Sequence, residues 1–511
     1  SMLVLAMLLA SPALAGDGYE NPPDDVTAIL DAKRPPSVSF SPDRVWMVEQ
    51  ERPSLSPIAE LAEPSLKLAG VKINPATRGP AREYAYTGLT LRRMTERKGQ
   101  RLAVGDGARI RNLDWDFTAQ RFAYTTTRPD GIELWVVDVE DATPRRLLGP
   151  VLHAGYGAPC DWLPGDQGLI CKVIPDDEGA APAEPPVASG PRVEENLGGR
   201  RPARTYQNLL EDDHDEALFE HFFTSALVHV ALDGTVRTVH EAAIVDEATP
   251  SPDGEWLLVE VMHPPWSTSV PASRFPRTTA VHELATGKRV EIADLPLADD
   301  IPTTFGSTRT GRRGIRWRND EPATLYWAEA LDGGDAGIEA EERDRVMQWG
   351  APFEGEPAPL WTTALRFAGI QWGDDQLAFG IERWWKTRQV RVWQLDPSDP
   401  DAEPILHWDR SSQDRYSDPG SPVYEPGPHG WWVMRISEDR QVMLTGAGYS
   451  PEGVFPFLDR YDVATQTTER LWQSADPYYE RVMTVLDDGR FVTSRQSQEA
   501  PANYFLRRLG K

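Results

Sequence analysis

Short runs of alternating apolar and polar residues recur along most of this chain, separated by turns built from Asp, Gly, Pro and Asn. The first copy is Val38-Ser-Phe-Ser-Pro-Asp-Arg-Val-Trp46: a strand, a polar turn, and a second strand carrying an aromatic residue. The unit returns at Leu113–Phe122, Cys160–Gln167, Thr249–Trp256, Ile315–Glu321, Ile370–Leu377 and Met483–Arg490, with His429-Gly-Trp-Trp-Val to Arg440 as a further copy. Alternation with period two across a tight polar turn predicts a β-hairpin. A second hairpin unit often follows, as at Leu134–Val139, Ala280–Gly287 and Val390–Leu395. Two hairpins make a four-stranded sheet with two apolar faces, and such a sheet needs neighbours on both sides. The pattern therefore predicts an all-β fold, a seven- or eight-bladed β-propeller.

Helical periodicity is confined to a few places. Asp24 is placed to cap a short helix ending at Leu30, and a second helix is expected over about Ile58–Leu68. In Asn208–Phe223, residues Leu210, Leu218, Phe219 and Phe222 fall on one helical face. Residues 176–204 are rich in Pro, Ala, Gly and Glu and bury too little to order themselves, so a mobile loop is expected there. The domain reading is a signal peptide over 1–15, an N-terminal extension with the first strands over 16–90, and the propeller over 91–511.

Composition agrees with many turns and wide inter-sheet cores: 45 Pro, 40 Gly and 18 Trp in 511 residues. The formal charge of -26 repels phosphate backbones, which argues against nucleic-acid binding. The start of the chain pairs a short apolar run from Met2 to Ala10 with an Ala13-Leu-Ala15 site before Gly16. This reads as a cleaved export signal and implies a periplasmic or secreted protein. No stretch reaches membrane-spanning length. Cys160 and Cys171 fall opposite each other across the turn at Gly165-Asp166, so a disulfide and two reduced, buried thiols both remain open. Nothing in the spacing of Cys and His suggests a metal site or another cofactor.

Catalytic chemistry is hard to find. No Gly-x-Ser-x-Gly elbow occurs, and the nearest segment, Gly448-Tyr-Ser-Pro-Glu-Gly453, is one residue too long and has Pro451 after its serine. His214 and His221 lack the spacing of a zinc protease helix. Arginine is more suggestive. Arg274 and Arg277 in Pro271–Arg277, with Arg312 and Arg313 in Thr310–Gly314, put cations on loops of an acidic protein. They could grip a carboxylate of a substrate, or simply pair within the fold.

Several collinear segments then carry a resemblance. They are Tyr19-Glu-Asn-Pro-Pro23, Leu68-Ala-Gly-Val-Lys-Ile-Asn-Pro75, Tyr86-Thr-Gly-Leu89, Arg204–Leu210 with Asp215–Phe219, Arg274-Phe-Pro-Arg277, Ser450–Gly453 with Pro456–Arg460, and Thr493–Arg495 with Pro501–Phe505. Together they resemble the propeller half of the glutamyl endopeptidase-like branch of the prolyl oligopeptidase (S9) serine peptidases. That resemblance implies a propeller covering a C-terminal α/β-hydrolase domain, peptide substrates and cleavage after Glu. The hydrolase domain is absent from this chain, so no catalytic residue carries over and the chain alone is expected to be inactive. The implied role is gating and substrate positioning, with the hydrolase joined in cis or as a separate chain. The alternative is a stand-alone periplasmic propeller that binds a protein or peptide.

Overall fold

A computed structural model describes residues 22–186 and 205–510. The described chain is all-β apart from three short helices, α1 (Asp24–Leu30), α2 (Ile58–Leu61) and α3 (Asp213–Phe223). Its strands form a series of antiparallel sheets laid side by side. Sheet 1 is Ser37–Phe40, Trp46–Glu51, Gly88–Arg93 and Gln100–Arg101. Sheet 2 is Ile110–Trp115, Arg121–Arg128, Gly131–Asp138 and Pro144–Leu148. Sheets 3 and 4 share one fifteen-residue strand, Val236–Pro250. Its first half pairs with Ser225–Val230 to finish sheet 3, which starts with Cys160–Trp162 and Leu169–Val173. Its second half opens sheet 4, followed by Trp256–Met262, Arg277–Glu283 and Arg289–Leu295.

Sheet 5 is Arg313–Trp317, Thr324–Ala330, Asp344–Gly350 and Ala358–Thr363. Sheet 6 is Arg366–Asp374, Leu377–Trp384, Gln389–Leu395 and Ile405–Ser411. Sheet 7 is Ser421–Pro422, Gln441–Gly446, Phe457–Asp462 and Thr467–Gln473. Sheet 8 has three strands, Tyr479–Val485, Arg490–Gln496 and Asn503–Arg508.

The core lies between sheets, as expected of faces that cannot bury themselves. Sheets 1 and 2 enclose Val48, Leu89, Phe122 and Tyr124. Sheets 2 and 3 enclose Leu134, Trp162, Leu169 and Val230. Between sheets 4 and 5 lie Leu258, Val281, Trp317, Leu325 and the fully buried Trp327. Comparable clusters fill the junctions 3–4, 5–6, 6–7 and 7–8. Sheets 8 and 1 meet differently. No apolar cluster joins them among the described residues. Arg44 instead donates to Thr484 Oγ1 of sheet 8 (2.8 Å), and Tyr504 of sheet 8 donates to the carbonyl of Pro36 (3.2 Å); Arg44 also donates to the carbonyl of Tyr424, in a hairpin inserted in sheet 7 (2.6 Å). Two cavities, of about 460 and 260 Å³, open along this seam.

Because each sheet begins with its inner strand and runs outward antiparallel, its connections fall on two opposite faces. First-to-second and third-to-fourth turns share one face, here the turn face. Second-to-third connections and the links between sheets share the other, here the insert face. The insert face carries the long connections 52–87, 174–224 and 263–276, and described residues of all three, Leu68, Ile73, Phe219, Phe223, Val270 and Phe275, form one cluster. Gly70 is needed there. Its φ is +85°, and a Cβ would stand 2.8 Å from Pro271.

Several expectations need correction. The helix expected over Ile58–Leu68 stops at Leu61, because Pro64 cannot continue it, and Leu66–Leu68 pairs as a strand with Val71–Asn74. Pro23, not Asp24, holds the N-cap position of α1. His429-Gly-Trp-Trp-Val is not the start of a sheet. Trp432–Met434 pairs with Tyr424–Pro426 as a hairpin inserted between the first two strands of sheet 7. The boundary drawn at residue 91 passes through sheet 1, whose strands run from Ser37 to Arg101. The signal segment 1–15 and residues 187–204 of the insertion lie outside the described residues. Within 176–186, Glu178 pairs with Arg78 at 2.6 Å.

Candidate functional site

On the insert face, the 263–276 connection ends in a single 3-10 turn, Ala272–Arg274, and Arg277 opens the next strand. Three residues apart, the two arginines do different things. Arg277 is buried, donating to Asp246 (2.9 Å), Glu260 (2.5 Å) and the carbonyl of Ala272 (3.1 Å). Burial holds the Glu260 carboxyl above its ordinary value even with that guanidinium beside it. Arg274 is half-buried, donates to the carbonyl of Ala298 (3.2 Å) and lies 5.9 Å from the Tyr206 ring. Arg309 joins them. It donates to the carbonyl of Pro296 (3.0 Å), and burial, then the charges of Arg277 and Arg274, push it down to about 10. Among the described residues, neither Arg274 nor Arg309 meets a carboxylate. Arg312 and Arg313 turn elsewhere. Arg312 donates to the carbonyl of Ile292 (2.7 Å) and covers Trp327. Arg313 reaches Asp344 (2.6 Å), in a buried network with Asp332, Arg343 and Arg366.

The axis of the sheets is the second candidate. The inner strands place one residue each at equivalent positions around it: Ser39, Asp114, Asp161, Thr249, Arg316, Gln371, Ser421 and Thr484. Asp114, Asp161, Arg316 and Gln371 each precede the tryptophan of the repeat. That tryptophan braces its sheet against the one before: Trp115 Nε1 donates to Ser39 Oγ (3.0 Å), Trp162 Nε1 to the carbonyl of Asp114 (3.2 Å), and Trp317 Nε1 to that of Thr249 (2.9 Å). Asp114 opens to the lumen and is itself exposed, but the surrounding walls exclude enough water to push its carboxyl up to about 6, with the charge of Asp116 adding to the effect. The same walls push Asp161 up to about 7, with Asp114 as its main repulsive neighbour.

The Tyr424–Met434 hairpin lies across this lumen on the turn face. Gly430 packs on Phe117, Asn319 donates to the carbonyl of Trp432 (2.8 Å), and Arg44 stacks on the Trp432 ring. Cavities of about 460, 410 and 370 Å³ all border the hairpin. Three segments read for other chemistry have structural settings. Ser450 sits in a two-residue hairpin and donates to the carbonyl of Gly453 (3.2 Å). Cys160 and Cys171 are directly opposed, Cα atoms 4.1 Å apart, and are bonded. No group of three His, Cys, Asp or Glu among the described residues is arranged to hold a metal.

The chain is 36% identical over 522 residues to a probable chloroplastic glutamyl endopeptidase of Oryza sativa subsp. japonica, and 36% identical over 524 residues to one of Arabidopsis thaliana. Each match covers 96% of this chain. Along almost its whole length it is similar to glutamyl endopeptidases. The chain spans about half the length of these relatives, 55% and 54%. No family model matches it. Among solved structures, the dipeptidyl peptidase 4 of Porphyromonas gingivalis superposes over 96% of this chain and 60% of its own with a TM-score of 0.46 at 11% identity. That likeness is too distant to carry an argument.

The two candidate regions differ in what could be read beforehand. Arg274 and Arg277 stand in a segment that resembles the family, but sequence does not separate the buried ion pair from its unpaired neighbour. Arg309 was missed although it stands one residue before Thr310. Asp114, Asp161 and Arg316 were missed too, and the signal was present: they are the residues before the repeated tryptophan.

Proposed function

We propose that this chain is the gating and substrate-positioning propeller of an exported S9 serine peptidase, its eight sheets forming the eight blades of one ring. An α/β-hydrolase domain, in cis or as a partner chain, docks on the insert face and cuts after Glu. The relatives named glutamyl endopeptidases support the substrate reading, and the Met2–Gly16 segment supports export. The observation that carries the proposal is the make-up of the insert face. It gathers most of the exposed large apolar side chains, including Leu55, Ile58, Phe305, Ile338, Trp385 and Tyr416, and it carries two arginines, Arg274 and Arg309, with no carboxylate partner among the described residues. Exposed apolar surface on that scale suits a domain interface. Unpaired guanidinium groups beside it suit an acidic side chain arriving at that interface. Gating fits the seam between sheets 8 and 1, where polar contacts replace an apolar cluster.

The test joins this chain to the C-terminal half of the rice relative and replaces Arg274 and Arg309 with Ala. Cleavage after Glu should fall at least tenfold relative to cleavage after Gln in matched fluorogenic peptides, about 1.4 kcal/mol. Equal loss for both peptides, or no loss, would reject the acid-reading role.

A further inference from the structure

We infer that the chamber beneath the hairpin, between sheets 4, 5 and 6, is a binding site for a carboxylate carried on an apolar body, such as the end or an acidic side chain of a short peptide. The first observation is Arg316. It projects from the inner strand of sheet 5 into the lumen, and no carboxylate pairs with it among the described residues. Its strand neighbours Arg313 and Arg318 are both paired, to Asp344 and Asp320 at 2.6 Å each. An Arg in water-filled space with its fork free presents two parallel donors, the geometry a carboxylate matches.

The second observation is independent. Trp115, Trp162 and Trp317 each donate their indole N–H to the inner strand of the preceding sheet. Trp372, the corresponding residue of sheet 6, breaks this rule. Its side chain is only 3% exposed, and the acceptor beside its Nε1 is the Tyr326 hydroxyl of sheet 5, which meets it without good hydrogen-bond geometry, the two rings standing edge-on at 5.1 Å. Trp431, at the tip of the hairpin, likewise has a buried, unpaired Nε1. Buried donors normally find an acceptor. Here Arg316, Trp372 and Trp431 line one cavity of about 410 Å³, within the range of small-ligand pockets. Its apolar walls come from Leu258, Trp317 and Ile370. Glu247 also borders the chamber, on sheet 4, so the site is polarised and a neutral or basic body on the ligand suits that end. The inference stands whether or not Arg274 and Arg309 read acidic side chains.

Isothermal titration of the purified chain tests it with three probes. N-acetylphenylalanine offers a terminal carboxylate, N-acetylglutamate α-amide offers a side-chain carboxylate, and N-acetylphenylalaninamide offers none. At least one acid should bind in the millimolar range and the neutral amide should not; which acid binds identifies the source. Arg316→Gln should weaken binding about tenfold, and Trp372→Phe, which removes the N–H and keeps the ring, about threefold. Arg316 is exposed, so its variant should melt with the parent, and circular dichroism checks this. Absence of binding by both acids, equal binding of the amide, or unchanged affinity in Arg316→Gln would each overturn the site.

Discussion

The junction between sheets 4 and 5 and the seam between sheets 8 and 1 occupy equivalent places and are built oppositely. At the first, Trp256, Leu258, Trp317, Leu325, Trp327 and Phe353 interlock into a continuous apolar layer. At the second, one arginine and one tyrosine reach across to backbone and hydroxyl oxygens, and two cavities open beside them. Apolar layers give non-directional cohesion that grows with area. A polar seam gives a few directional contacts whose net worth is about 1 kcal/mol each. The described sheets are therefore held face to face along nearly the whole series and merely latched between the last and the first.

The strongest way to break the contrast is Trp327→Ala. The side chain is fully buried in the 4–5 junction, and its removal should cost about 4 kcal/mol, read as a fall in the denaturation midpoint. Arg44→Ala strikes the latch and should cost less, about 1–2 kcal/mol, because two acceptors lose a donor. Its sharper signature is local: amide exchange should accelerate in Ser37–Phe40 and Tyr479–Val485 while sheets 4 and 5 stay protected. A loss as large as that of Trp327→Ala would show that the seam carries structural load.

Asp161→Asn sharpens the picture at the lumen edge of the 2–3 junction. The folded carboxyl titrates near 7, above its unfolded value, so the folded state holds the extra proton between about pH 4 and 7. Stability from this group is present at low pH and is lost as pH rises through 7. The variant should flatten that decline and gain about 1 kcal/mol at pH 8, measured by urea titration across pH. The smallest effect belongs to Arg460→Ala, which removes an exposed pair with Glu469 and should change stability by less than about 0.5 kcal/mol.

The sheets were legible because each depends on local alternation and a turn, both written within about ten residues. The hairpin was misread for the same reason: Trp431-Trp-Val-Met434 spells a strand as well as any inner strand does, while the true inner strand of sheet 7, Ser421–Pro422, is too short to leave a pattern. The seam left no trace because it belongs to segments more than 400 residues apart, Arg44 and Thr484. The division of labour among the arginines was hidden likewise. Arg277 finds Asp246 and Glu260 only once sheet 4 is assembled, whereas Arg274 faces out of the same turn.

The unbroken strand Val236–Pro250 carries one further mechanical consequence. Any widening at the latch has to be accommodated by bending at other joints between the sheets. Where one strand doubles back between Ala243 and Ile244 to serve two neighbouring panels, no linker residues lie between them to absorb that rotation. Panels 3 and 4 are then expected to move together, with more of the flexing at the joints to either side of them.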